Sequence, residues 1–142
     1  MTDFVHNVSI QAPAKKVFAA IATQAGNQGW WTHDAVLDPR VGGTAEFGFD
    51  HRGMVFRMRI EELVPEKRLV MSCAGDHPEW SGTKLEWTLT PAEDGGTWLR
   101  FTHRNWKAPT DFAASCNSMW GNLMYRLKAF VESGKPAPQW TA

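Results

Sequence analysis

An α+β domain, with a curved antiparallel sheet under one long C-terminal helix, is what the sequence predicts, and two patterns predict it. From Thr44 to His103, apolar residues return at every second position through five segments joined by short turn-forming stretches. Between Pro109 and Pro136 the period lengthens to that of an amphipathic helix. At 142 residues the chain fits a single domain, 1–142, and a domain of that size buries about 68–70% of the surface its unfolded chain exposes. One core is then possible without disulfide or metal staples.

Residues 4–11 begin the fold. Phe4, Val8 and Ile10 share one parity and Asn7 and Ser9 the other, which marks a strand with one wet face. In "APAKKVFAAIAT", Pro13 suits a first helical position and Val17, Phe18 and Ile21 lie along one face, so a short helix is expected to end before Gly26. The next segment carries Gly29, Pro39, Gly42 and Gly43, too many breakers for one regular element. It should bend, with a second short helix around Trp30 and Trp31.

Five strands come next: "TAEFGF", "MVFRMRIEEL", "RLVMSC", "TKLEWTL" and "TWLRFTH". Their separators, "DHRG", "VPEK", "AGDHPEWSG" and "PAEDGG", are too short for crossovers and make a meander. In the second strand Met54, Phe56, Met58 and Ile60 face a core while Val55, Arg57, Arg59 and Glu61 face water. The last helix carries Phe112, Cys116, Met119, Trp120, Leu123, Leu127, Phe130 and Val131 on one stripe. Asp111 suits its first turn, Lys128 its last, and Gly134 with Pro136 its stop. Gly121 costs about 1 kcal/mol relative to Ala inside a helix, so it is expected to mark a close contact.

Composition narrows the function classes. Fifteen basic residues balance fifteen acidic ones, so no global field draws the chain to nucleic acid or to an anionic membrane. The N-terminus has no basic region followed by an apolar block, and no window approaches the roughly 18 apolar residues of a membrane span, so a cytoplasmic protein without membrane insertion is expected. Cys73 and Cys116 are far apart within apolar patterns and read as free buried thiols. The five histidines lack paired spacing, and no Walker loop, G-x-G-x-x-G, G-x-S-x-G or H-E-x-x-H occurs. No metal and no cofactor are therefore expected.

The stretches "VFAAIATQAGNQGWWT", "DPRVGGTAEF", "RIEELVPEKRLVMSC", the "LEWTL" and "LRFTH" pair, and "WGNLMYRLKAFVESG" resemble, in order, the domain family named after the activator of the heat-shock-protein-90 ATPase. That family belongs to the START-like, helix-grip superfamily known as SRPBCC. The resemblance covers nearly the whole chain and is specific for fold rather than activity. It implies a curved antiparallel sheet gripping the C-terminal helix, with two short helices after the first strand and a hydrophobic pocket between sheet and helix. Relatives in the superfamily bind lipids, hormones and polyketides, and a few are cyclases or hydrolases. The eukaryotic activator adds a separate chaperone-binding domain. This chain starts at its first strand and ends just beyond its last helix, which leaves no room for one and makes chaperone contact doubtful.

Strand parity names the pocket candidates: Met54, Phe56, Met58, Leu69, Met71, Leu85, Trp87, Leu89, Leu99, Phe101 and His103 from the sheet, with Met119, Trp120 and Leu123 from the helix. Trp31 is expected to close the core or the pocket while Trp30 packs under the connecting segment. Methionine suits an adaptable apolar surface and fills irregular cores equally well. His103 is the catalytic candidate, a general base in a cyclase- or hydrolase-like reading; its bland alternative is a strand-end histidine bonded to a backbone carbonyl. His33 and Asp34 could reach the pocket mouth. The favoured partner is a small hydrophobic or aromatic molecule. A homodimer or a chaperone accessory is the alternative, with Trp98, and less well Trp80, as exposed contact rings.

Overall fold

A computed structural model describes residues 2–142. The elements follow in the order β1 (Thr2–Ile10), α1 (Ala14–Ala22), α2 (Gln24–Trp30), β2 (Ala35–Leu37), β3 (Thr44–Phe49), β4 (Met54–Val64), β5 (Arg68–Cys73), β6 (Lys84–Pro91), β7 (Thr97–Trp106) and α3 (Asp111–Ser133). One seven-stranded sheet has the order β1-β7-β6-β5-β4-β3-β2, with every neighbouring pair antiparallel. The meander read from the sequence is β3 to β7. It is joined at one edge by β1 and at the other by β2. With α3 over its concave face, the sheet forms the expected α+β helix-grip fold.

One detail departs from the sequence reading, while the two short helices expected after the first strand are present. The segment before Thr44 contributes β2, whose single alternation of buried Ala35, exposed Val36 and buried Leu37 is too short to register as a period. The first helix ends at Ala22, and a second runs from Gln24 through Gly26 and Gly29 to Trp30. Thr23 separates them by accepting a hydrogen bond from the Gly26 amide (2.9 Å), an N-cap that satisfies a backbone donor with no partner inside the helix. Gly26 is required there rather than merely tolerated. A Cβ at that position would lie 2.2 Å from the Ala19 carbonyl oxygen and 2.6 Å from the Ala20 Cα.

α3 begins at Thr110, whose hydroxyl accepts from the Ala113 amide, and stops at Gly134 in the left-handed conformation. Its buried stripe contains Trp120, Leu123, Met124 and Leu127. Lys128 lies too far from the C-terminus to serve the last turn. It donates instead to the Ser9 carbonyl and pairs with Glu132. Together with the bonds from Gln11 N to Glu132 and from His6 to Asn117 (2.8 Å), this ties the helix to β1 at one edge of the sheet.

The convex face is polar and laced with ion pairs: Arg57 with Asp76, Arg68 with Glu62, and Arg104 with Glu86 and Asp3. Such exposed pairs contribute little to stability, roughly 0–1 kcal/mol each. Trp98 stands on this face at 45% exposure. Trp80, offered by the sequence as a second exposed ring, is only 4% exposed, because the connection between β5 and β6 folds inward and stacks it on Phe56 at 4.0 Å. No helix among the described residues is long and apolar enough to cross a membrane.

The glycines give a paired test. Gly26→Ala forces backbone apart and is expected to destabilise by about 2–3 kcal/mol. At Gly121, expected from sequence to mark a close contact, a Cβ would meet the His6 ring at 3.8 Å, an ordinary contact. Gly121→Ala should therefore be neutral or stabilise by up to about 1 kcal/mol. Urea unfolding of both variants checks the contrast.

Candidate functional site

The interior is organised around Trp120. Its ring, buried under α3, packs on Phe101 at 4.3 Å and Trp31 at 5.2 Å, with Trp80 and Trp87 farther out. Its indole N–H donates to His103 Nδ1 at 3.0 Å. That bond fixes the tautomer. Nδ1 has to be the acceptor, so Nε2 carries the proton and donates to Thr83 Oγ1 at 2.9 Å, and the Thr83 hydroxyl donates to the Trp80 carbonyl at 2.6 Å.

His103 is completely buried, and burial pushes its pKa from 6.5 down to about 3. With its lone pair occupied and no solvent contact, the ring orients Trp120. The backbone carbonyl expected as its partner is replaced by a hydroxyl and an indole.

On one side of Trp120 the space is packed; on the other it is open. A cleft of about 470 Å³ runs between the first half of α3 and the β3–β4 hairpin. Its wall consists of Trp31 at the end of α2, Phe49, Asp50, Gly53, Met54 and Phe56 from the hairpin, Trp80 from the β5–β6 connection, Phe112, Ser115, Cys116, Met119, Trp120 and Leu123 from α3, and Trp140 from the C-terminal tail. The cleft follows from how the helix is anchored. α3 is tied down at the β1 edge, so the far end of the curved sheet lies beneath it across a gap.

The tail closes one flank of that gap. Ala137, Gln139 and Trp140 donate their amides to the carbonyls of Gly29, Trp30 and Trp31. Asn122 donates to Gln139 and Arg126 to the Ala137 carbonyl, fastening the tail to α3. Trp140 then meets Phe49 edge-on at 4.8 Å.

Of the residues named from sequence, Trp31, Met54, Phe56, Met119, Trp120 and Leu123 come together on the wall. Met54 remains 40% exposed at the mouth. Met58, Met71, Trp87, Phe101 and His103 are buried in the sheet's packed core, away from the cleft. Parity assigns a face; it does not say how far along the sheet the helix touches down. Phe112 and Cys116 share the α3 stripe with residues that were named, and Phe49 follows the alternation of its own strand, so all three could have been found that way. Trp80 and Trp140 sit in aperiodic segments and gave no such signal.

His33 and Asp34 take separate roles. The His33 amide donates to the Trp140 carbonyl while its ring is exposed. Asp34 accepts two bonds from Arg52, at 2.7 and 2.9 Å, and Arg52 also pairs with Glu46. These bonds hold the turn Asp50–His51–Arg52, in which all three residues have positive φ. The wall's chemistry is sparse: one hydroxyl, one carboxylate, and the Cys116 thiol, whose pKa is pushed up by burial and drawn the other way by the adjacent Trp80 indole. Cys73, in the core, is pushed up to about 11, also by burial.

Comparison with known proteins places these features in context. The family model described as "Activator of Hsp90 ATPase homolog 1-like protein" matches residues 11–132. The solution structure of the Aha1 dimer from Colwellia psychrerythraea is 34% identical, with 95% of this chain and 99% of that one covered at a TM-score of 0.85. A crystal structure of a Mesorhizobium loti protein shares the fold at 21% identity and a TM-score of 0.80, covering 92% of this chain and 96% of that one. DynU16, from the dynemicin biosynthetic locus, shares it at 24% identity and 0.81, covering 99% of this chain and 51% of its own. No curated protein sequence matches.

The lowered pKa of His103 makes stability depend on pH. Between about 3 and the unfolded value of 6.5 the unfolded chain holds a proton that the native chain does not. Stability from this group is complete above the upper value and falls as the pH drops, by about 2 kcal/mol at pH ~5. His103→Asn keeps an acceptor near Trp120 and does not titrate. Denaturant unfolding from pH ~7.5 to ~5 should show the wild type losing about 2 kcal/mol more than this variant.

Proposed function

We propose a function from one established premise: the chain belongs to the Activator of Hsp90 ATPase homolog 1-like family. The protein binds a small apolar or aromatic molecule in the cleft between α3 and the β3–β4 hairpin. One observation carries this reading. In an interior where rings otherwise pack in contact, a cleft of about 470 Å³ stays open, within the range of small-molecule sites and walled as they are by apolar groups with a few polar ones.

The alternative of catalysis by His103 finds less support. Its ring nitrogens are committed to Trp120 and Thr83, and it does not reach the cleft wall. Asp50 and Cys116, the titratable groups on that wall, make no hydrogen bond to each other among the described residues, so no acid–base pair is offered to a substrate.

Self-association is a second reading, favoured by the half-exposed Trp98 and by the dimeric state of the Colwellia psychrerythraea relative. It is compatible with ligand binding, since Trp98 lies on the convex face and the cleft lies under the helix.

Two measurements test these readings. A lipophilic library should raise the melting temperature, and a ligand at a hundred times its Kd should stabilise by about 2.7 kcal/mol. Ser115→Trp, which places a ring in the mouth from an exposed helix position, should weaken that ligand at least ~tenfold, about 1.4 kcal/mol, with little change in unfolding of the free protein. A library without a hit would end the binding reading. Light scattering should find a dimer that Trp98→Arg dissociates; a wild-type monomer removes the second reading.

A further inference from the structure

We infer that the occupant of the cleft is cationic: an apolar amine or quaternary ammonium rather than an acid. This deepens the binding reading and depends on it. Seven aromatic rings supply half of the wall residues, Trp31, Phe49, Phe56, Trp80, Phe112, Trp120 and Trp140. Phe56 and Trp80 stack nearly parallel at 10° and together form one side, while other pairs are inclined, at 57° for Trp31 and Trp120, 63° for Phe49 and Phe56, and 75° for Phe49 and Trp140. Rings in these several orientations surround the cleft on more than two sides. The face of an aromatic ring carries the negative part of its quadrupole, so a wall of this kind suits a compact positive group.

Charge points the same way. Asp50 is the one charged residue on the wall, and no Lys, Arg or His lines it. The Asp50 carboxylate has no ion pair or side-chain hydrogen bond among the described residues. The nearby guanidinium of Arg52 is already committed to Asp34 and Glu46. The N-terminus of α3, a partial positive charge close to Phe112, is satisfied by the Thr110 cap and faced by Asp111 and by Glu79, which accepts from Thr110. An anionic ligand would lose its hydration against ring faces with no cation to receive it, a cost that excludes carboxylates more strongly than neutral molecules. A cation meets aromatic rings along the wall and a carboxylate with no competing cation.

Three probes with one common ring separate the ideas: 2-naphthylmethyl-trimethylammonium, 2-naphthylmethanol and 2-naphthoate, titrated calorimetrically at low ionic strength. The ammonium should bind at least ~tenfold more tightly than the naphthoate, with the alcohol between them. Asp50→Asn suits the left-handed backbone at this position, where φ is 50°. It should weaken the ammonium about threefold more than the alcohol. Trp140→Leu keeps apolar volume but removes a ring, and should also cost the ammonium more than the alcohol. Equal affinities, or a tighter naphthoate, would overturn the charge preference while leaving the cleft a binding site. If none of the three binds, both readings fall.

Discussion

The bond from the Trp120 indole to His103 Nδ1 is the constraint on which the interior depends. A tryptophan under a long helix could rotate to fill whatever space the sheet leaves, and a ring free to do so would collapse into the cleft. Here the ring is held from its polar end. The chain from Trp120 N–H to His103, from His103 Nε2–H to Thr83 and from Thr83 O–H to the Trp80 carbonyl leaves each member one geometry. Burial strengthens that choice, because a donor or acceptor stripped of its partner in this setting costs about 1–3 kcal/mol. The same network seats the backbone at Trp80, whose ring forms part of the wall. A polar network inside the core thus sets the position of two apolar walls.

From that fixed ring the two halves of the molecule diverge. Toward β5, β6 and β7, Leu85, Trp87, Leu99 and Phe101 are completely buried and the space is filled. Toward β3 and β4 the wall is held by a clamp within the hairpin and by the tail, which is itself fastened to α3. Asp34 and Glu46 clamp Arg52, and with it the positive-φ turn at the hairpin tip. Gly48 allows the clamp: a Cβ there would fall 2.1 Å from the Asp34 carboxylate, so only glycine lets that side chain cross the strand to reach Arg52. The tail then sets Trp140 against Phe49. The clamp is hydrogen-bonded and ionic within the hairpin, and the tail is hydrogen-bonded both to the end of α2 and to α3, so the rings on the two flanks are positioned separately.

The fold was legible because its signals are periodic. Alternation over five strands and one broad stripe on the last helix gave the sheet, its meander and the covering element, and several ordered stretches carried the family resemblance. The cleft was only half legible. Parity correctly sent Met58, Met71 and Phe101 inward, but parity is blind to depth, so residues of the packed core and of the open end received the same assignment. What separates them is where α3 is anchored, and that rests on Lys128, Glu132, His6 and Asn117. Those are polar residues on the helix flank and first strand, with nothing in their spacing to announce contact across more than a hundred positions. Trp80 and Trp140 escaped for a related reason: a ring in an aperiodic segment has no predicted direction until the segment's backbone partners are known.

The "WWTHDA" stretch shows how these rules combine at one place. Adjacent side chains leaving the end of a helix diverge, and each of the five residues Trp30 to Asp34 is used differently. Trp30 donates its indole N–H to the Ala20 carbonyl, locking α2 to α1. Trp31 stacks on Phe47 at 4.2 Å and faces the cleft. The Thr32 hydroxyl donates to the Gly48 carbonyl, His33 receives the tail through its backbone, and Asp34 clamps the hairpin. A histidine and an aspartate beside two tryptophans look like an active site in one dimension. In three, the carboxylate and the backbone amide position the rings. The segment joins α2, the hairpin and the tail at a single point, so a change in any of the three reaches the cleft through Trp31. That coupling is the physical reason to expect the cleft to respond as a unit when a ligand enters it.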